Sequence, residues 1–462
     1  MEGFVLDNNR MIIALVIGIM LLIGMIVKTK IHTFFALIIT ALFVGIAGGM
    51  PQNIVVKSVT DGFGGTLGSI GIIIGFGVMM GQIFEVSGAA KKMAHTFIKF
   101  LGKEKEDIAL SITGFLVSIP IFCDSGFIIL SPIAKAISRS TGKSITTLGL
   151  ALASGLVITH SLVPPTPGPV GVAGIFGADV GQVILWSIII SIPMMLTCLF
   201  YARWFGKQVY QVPDENGKWI RPKQHLKREE ISLEKDEELP SALISFAPIV
   251  VPIIFILINT IITAVAKTSG SKITGIAEVF VFLGTPVVAV GLGLLLSLLT
   301  LTGKLNRKEV LKEVNKGIES AGIIILVTGG GGALGKVLTN SGVGTYIAEM
   351  IAQTSIPTII LPFIIATIIR FIQGSGTVAM LTAASISSPI IAQLGVNPVF
   401  ATLSACIGSL FFSYFNDSFF HVVNRTIGLE DAREQMKGYS ITSTIAWASG
   451  FIVLLIVNAI FG

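Results

Sequence analysis

The chain has 462 residues, of which 32 are Lys or Arg and 26 are Asp or Glu, so only 13% are charged where a soluble domain carries about 25%. With 52% hydrophobic residues, a mean hydropathy of +0.86 and repeated apolar runs of membrane length, an ordinary soluble protein is excluded. A transmembrane β-barrel is excluded as well, because its strands alternate apolar and polar positions whereas stretches such as Ile12 to Val27 are apolar on every side. The cysteines, Cys123, Cys198 and Cys406, show no CxxC or metal-ligand spacing, so no disulfide framework, metal site or cofactor is indicated. The net charge of +6 is what basic cytoplasmic loops produce and gives no reason to expect a nucleic-acid partner.

In chain order, apolar runs of about 20 residues between charged or Pro/Gly breaks predict helices over 10–27, 31–49, 66–86, 145–178 and 181–204. The first is too long for a signal peptide and no small-residue cleavage site follows it, so it should remain as a helix. A hydrophilic stretch from Arg203 to Leu239 comes next. Beyond it, helices are predicted over 241–266, 279–301, 319–338, 397–423 and 440–461. Two further apolar segments, 108–134 and 359–392, are interrupted by Pro120-Ile121-Phe122-Cys123-Asp124-Ser125-Gly126 and by Gln373-Gly374-Ser375-Gly376-Thr377. They read as re-entrant hairpins whose tips face a cavity, since non-helical backbone at membrane depth needs protein or water to satisfy it. This topology places most Lys and Arg on one side and leaves Arg10, Lys57, Lys267 and Lys272 on the other. By the positive-inside rule, both termini should be extracytoplasmic.

The halves repeat. Gly71-Ile-Ile-Ile followed by Gly81-Gln-Ile-Phe-Glu-Val-Ser87-Gly88 has a counterpart in Gly322-Ile-Ile-Ile followed by Gly335-Lys-Val-Leu-Thr-Asn-Ser341-Gly342, and Ser125-Gly126 maps onto Ser375-Gly376. A repeat unit that crosses an odd number of times must insert upside down, as in many secondary transporters. The expected fold is therefore an all-α polytopic membrane protein of two inverted repeats, each with five transmembrane helices, a re-entrant hairpin and a broken helix. Its divisions are 1–204 for the first repeat, 205–240 for a cytoplasmic linker and 241–462 for the second repeat.

A few polar residues stand where lipid-depth burial is costly, and such groups usually mark a substrate or ion path. Asp124 sits at the first tip, and His160 opens the break Thr159-His160-Ser161-Leu162-Val163-Pro164-Pro165-Thr166-Pro167. Arg370 precedes the second tip by one turn, and Asn416-Asp417-Ser418 interrupts the last broken helix. Structural pairing, for example of Arg370 with Asp417, is the competing explanation. Helix N-termini at Ser125-Gly126 and Ser375-Gly376 suit a carboxylate, and Arg370 could add a permanently charged contact. Hydroxyls of Ser125, Thr159, Ser161, Thr166, Ser375 and Thr377 can bind a polyol, while Gly126, Gly374 and Gly376 admit it close to the backbone. Asp124, His160 and Asp417 are the candidates for proton coupling.

Other chemistries are poorly served. Gly330-Gly331-Gly332-Ala333-Leu334-Gly335-Lys336 approaches a P-loop, but Val337 stands where Ser or Thr is needed and no strand precedes it. No GxSxG elbow supports an intramembrane hydrolase, so an enzyme is not expected. A channel would be told apart from a coupled carrier by its inability to accumulate solute against a gradient.

The segments Thr159-His-Ser-Leu-Val-Pro-Pro-Thr-Pro-Gly-Pro169, Gly62-Phe-Gly-Gly-Thr-Leu-Gly68, Ile121-Phe-Cys-Asp-Ser-Gly-Phe127, Gln373-Gly-Ser-Gly-Thr-Val-Ala379 and Phe415-Asn-Asp-Ser418 together resemble the gluconate permease (GntP) family of the ion transporter superfamily, over essentially the whole chain. The resemblance implies a proton symporter for gluconate or a related sugar acid in the bacterial cytoplasmic membrane, with glycerate or D-serine carriers and sodium coupling as the alternatives. It further implies an elevator motion and a scaffold that often forms homodimers. Asp124 then holds the acidic place at the first tip, often Glu in relatives, and Cys123-Asp124-Ser125 departs from the bulkier residues expected of gluconate carriers.

Overall fold

The computed structural model describes residues 8–462 except 30, 103, 215–218, 223–238, 304, 344–356 and 415–416. Helices dominate it. The chain begins with α1 (Asn8–Val27), α2 (Thr33–Ala47) and α3 (Gln52–Ser87), followed by α4 (Ala89–Leu101). The first hairpin is α5 (Glu106–Val117) and α6 (Cys123–Thr141), and the first broken helix is α7 (Ile145–Leu162) and α8 (Pro167–Phe176). After α9 (Val180–Gln208) the hydrophilic stretch forms a small antiparallel ribbon, β1 (Val212–Pro213) with β2 (Trp219–Ile220).

The second half continues with α10 (Ala242–Ser269), α11 (Ile276–Leu283), α12 (Pro286–Leu301) and α13 (Arg307–Asn340). Its hairpin is α14 (Ile360–Gln373) and α15 (Gly376–Gln393), and its broken helix is α16 (Pro398–Gly408) and α17 (Ser418–Thr426). The short α18 (Ala432–Gln435) then runs through a π turn, Met436–Ser440, into α19 (Ile441–Phe461). Among the described residues, five helices have the length and apolarity of a membrane span, and two bent pairs raise that to seven. With α1, α2 and the broken pair α16–α17, they occupy the positions at which the sequence places spans. The protein is an all-α polytopic membrane protein.

Three boundaries differ from expectation, each for a local reason. Helix α3 starts at Gln52 and not near 66, because Lys57 and Asp61 lie on an exposed part of a helix that bends by 46° between Gln52–Gly68 and Gly71–Ser87. Helix α13 starts at Arg307 and not near 319, held by a capping box in which Asn306 and Glu309 satisfy each other's backbone N–H. The span expected over 279–301 is broken by 72° between α11 and α12, where Gly284-Thr285-Pro286 interrupts the hydrogen-bond ladder. An unexpected helix, α4, buries Ala90, Met93, Ala94 and Ile98 on one side while its lysines stay partly exposed.

The two longest helices, α3 and α13, cross in opposite directions. A Cβ placed on Gly332 would lie 2.0 Å from Thr66 Oγ1 and 2.6 Å from the Gly62 carbonyl oxygen, so only glycine permits the approach. At the far end, Gly317 lies against Val78 and Gln82. A glycine of α13 thus meets α3 at both ends of the crossing. The broken helices pack crosswise on the hairpins: α8 packs on α15 of the second hairpin, and α17 packs on α6 of the first.

Candidate functional site

Both hairpin tips and both helix breaks meet around one cavity of about 400 Å³, within the size range of small-molecule sites. The first tip contributes Cys123 and Asp124 at the start of α6, and the adjoining end of α7 contributes His160 and Ser161. From the second half come Arg370 and the turn Gly374-Ser375-Gly376-Thr377, then Ser409, Asp417 and Ser418 around the gap between α16 and α17. Asp124, His160, Ser161, Arg370, Gly374, Ser375, Gly376, Thr377 and Asp417 are thus brought together.

The second half sets a tight ionic frame. Arg370, only 5% exposed, places Nη2 2.6 Å from Asp417 Oδ2. Its Nη1 donates to the Gly374 carbonyl, which closes the C-terminus of α14 where Gly374 adopts a left-handed φ of 90°. Asp417 also accepts the Ser413 hydroxyl and, through Oδ1, the Phe419 N–H at 3.2 Å, so it is the N-cap of α17. The pairing that competed with a substrate role for Arg370 and Asp417 is therefore present, and both side chains line the cavity nonetheless. The Arg370 Nε, buried, has no hydrogen-bond partner.

The first half is less committed. Asp124 accepts the Ser418 hydroxyl and lies 3.6 Å, through Oδ2, from Cys123 Sγ. No cation forms an ion pair with Asp124 among the described residues, although Asp417 faces it across the cavity. His160 stacks its ring obliquely on Phe122, with centroids 5.7 Å apart, and its Nδ1 is unpartnered. Helix α6 starts at Phe122 without a side-chain cap, whereas Ser375 caps α15 by accepting the Val378 N–H at 3.4 Å.

Other expected residues lie elsewhere. Thr159 is fully buried and donates to the Phe115 carbonyl at 2.7 Å, pinning α7 to α5. Thr166 turns to the Val163 carbonyl within its own break. Ser125 does not line the cavity; its hydroxyl donates to Glu85 of α3. Gly126 packs against Leu156. Asn416 lies outside the described residues. Tyr439, on the π turn, and Ser443 line the cavity although the sequence pattern gave them no role. Their signal was the run Tyr439-Ser-Ile-Thr-Ser443 at the start of a long apolar stretch, which is weak without the geometry.

The chain matches the family described as GntP family permease over residues 10–460. It is 48% identical to an uncharacterized permease of Haemophilus influenzae, covering 98% of this chain and 93% of that one. It is 33% identical to the high-affinity gluconate transporter of Escherichia coli, covering 97% and 99%. The fold is also that of the Alcanivorax borkumensis YdaH transporter, with a TM-score of 0.63 at 13% identity over 92% of this chain and 98% of that one. Both the profile match and the whole-length relatives lead to one assignment: this chain belongs to the GntP permease family, a family of multi-pass membrane permeases.

Proposed function

We propose that the protein imports gluconate or a related hydroxylated monocarboxylate together with a proton. The observation that supports this most directly is the charge balance of the cavity, which is lined by two carboxylates, Asp124 and Asp417, and one guanidinium, Arg370, that pairs with Asp417. An anionic substrate entering beside two carboxylates meets like-charge repulsion in a medium that screens it poorly. Uptake of one proton by the first-half carboxylate removes that repulsion, so substrate and proton bind as a pair. Helix N-termini at α6, α15 and α17 direct their partial positive charge to the same space. The similarity to a gluconate transporter favours a sugar acid as cargo.

The chain is assigned two inverted repeats, 1–204 and 241–462, joined by a cytoplasmic linker over 205–240, with both termini extracytoplasmic. The hairpins and broken helices are proposed to move as a unit against the long α3–α13 pair, in a scaffold that forms homodimers. Reconstitution into proteoliposomes tests the central reading. An imposed inward proton gradient should drive accumulation of labelled gluconate or a close sugar acid, with no requirement for sodium. Downhill entry alone, or accumulation that follows a sodium gradient at constant pH, would replace this reading with a channel or a sodium-coupled carrier.

A further inference from the structure

Among the described residues Tyr439 is the largest fully buried side chain, with 0% exposure, and it lines the cavity. Its hydroxyl has no hydrogen-bond partner among the described residues. A buried phenol without a partner is costly and uncommon, and one that lines a cavity calls for a partner from within it. The ring is fixed edge-on against Phe419, centroids 5.3 Å apart and planes at 89°, so the hydroxyl is held in place by packing. Tyr439 lies in the π turn Met436–Ser440, an extra-residue winding that re-aims side chains and is frequent at functional sites. Below it, Ser443 accepts the Ser413 N–H at 3.0 Å and donates to the Ser440 carbonyl at 2.9 Å, tying the turn to the gap that carries Asp417.

Resting on the reading of the cavity as a carboxylate site, we propose that the Tyr439 hydroxyl binds a hydroxyl group of the substrate and makes the carrier select hydroxylated acids over plain carboxylates. The anion's carboxylate interacts with the Arg370 side and the helix N-termini, while Tyr439 addresses the polyol portion. A site with an unpaired buried polar group discriminates strongly against an analogue that cannot pair with it. The selectivity therefore belongs to the phenol oxygen and not to the ring.

The test compares wild type with Tyr439→Phe in full-length protein reconstituted in proteoliposomes, using gluconate, its monodeoxy analogues and hexanoate as competitors. The expected result is a half-saturation concentration for gluconate raised by about 10-fold or more, unchanged inhibition by hexanoate, and one deoxy analogue that the two proteins no longer distinguish. Thermal unfolding of the ligand-free proteins supplies a readout that separates recognition from support of the fold. Because the hydroxyl has no partner among the described residues, Tyr439→Phe should melt at or above the wild-type temperature. A lower melting temperature, or an unaltered preference for gluconate over hexanoate and the deoxy series, would overturn the proposal. Wild-type protein that takes up no sugar acid at all would instead sink the transport reading on which it rests.

Discussion

The two hairpin tips occupy equivalent places in the repeat yet differ in chemistry. At the second, Arg370 is bound on both Nη atoms, to Asp417 and to the Gly374 carbonyl, and Asp417 caps the next helix. At the first, the hydrogen-bond neighbours of Asp124 are the neutral Ser418 and Cys123, and His160 keeps an unpaired nitrogen. One half thus supplies a charge frame that is also structural, and the other supplies groups whose protonation can change without dismantling a helix end. Under the proposed function, one half would hold the cargo and the other would couple it to a proton.

The largest expected effect falls on the frame. Replacing Asp417 by Asn leaves Arg370 buried without its counter-charge, which should cost about 3–5 kcal/mol, read as lost membrane yield and a lowered unfolding midpoint in detergent. The double variant Arg370→Gln with Asp417→Asn should recover much of that stability without recovering uptake. If Asp417→Asn alone unfolds no more easily than wild type, the second tip is not the frame. Arg370→Lys should insert normally yet transport poorly, because an ammonium cannot reproduce the planar fork; wild-type uptake would remove Arg370 from substrate binding.

Next in size is Asp124→Asn, expected to fold like wild type and lose pH-driven accumulation while retaining exchange of substrate at equal pH on both sides. Retained accumulation by both Asp124→Asn and Asp417→Asn would take proton coupling away from these carboxylates. A smaller effect is available from native chemistry: of the described cysteines only Cys123 lines the cavity, so bound gluconate should slow its alkylation by a small thiol reagent. Labelling of Cys123 at the same rate with and without saturating gluconate would place the substrate away from the first tip. The smallest change is expected outside the cavity, at Arg221, which pairs bidentately with Glu434 at 2.8 and 2.6 Å and joins the interdomain ribbon to α18. That pair is solvent-exposed on the arginine side, so Arg221→Gln should cost under about 1 kcal/mol and leave half-saturation unchanged.

What could be read from residues alone followed from cost. Asp124, His160, Arg370 and Asp417 were visible because an ionisable group in an apolar run needs an explanation, and both tips were visible because glycine and proline interrupt those runs. Which face a hydroxyl takes was not visible. Ser125, Thr159 and Thr166 are the same residue types as true lining residues, but helix phase turns the first two to Glu85 and Phe115 and the break turns Thr166 to Val163. Tyr439 escaped because a π turn shifts the phase of everything on it, and a 3.6-residue count cannot anticipate that shift. Helix α4 was legible in principle, with apolar residues at helical spacing, yet its three lysines read as a loop. The break at Gly284-Thr285-Pro286 was signalled by its own residues and passed over because the flanking run is uniformly apolar.

The crossing of α3 with α13 has a historical consequence. Because a glycine of α13 seats against α3 at both ends, Gly332 against Thr66 and Gly317 against Gln82, such a seam would be self-complementary under the proposed inverted repeat. A half-length polypeptide able to enter the bilayer in both senses could make it with a second copy of itself. Gene duplication and fusion would then need to invent no new contact at the centre of the molecule, only the stretch of soluble chain that connects the copies.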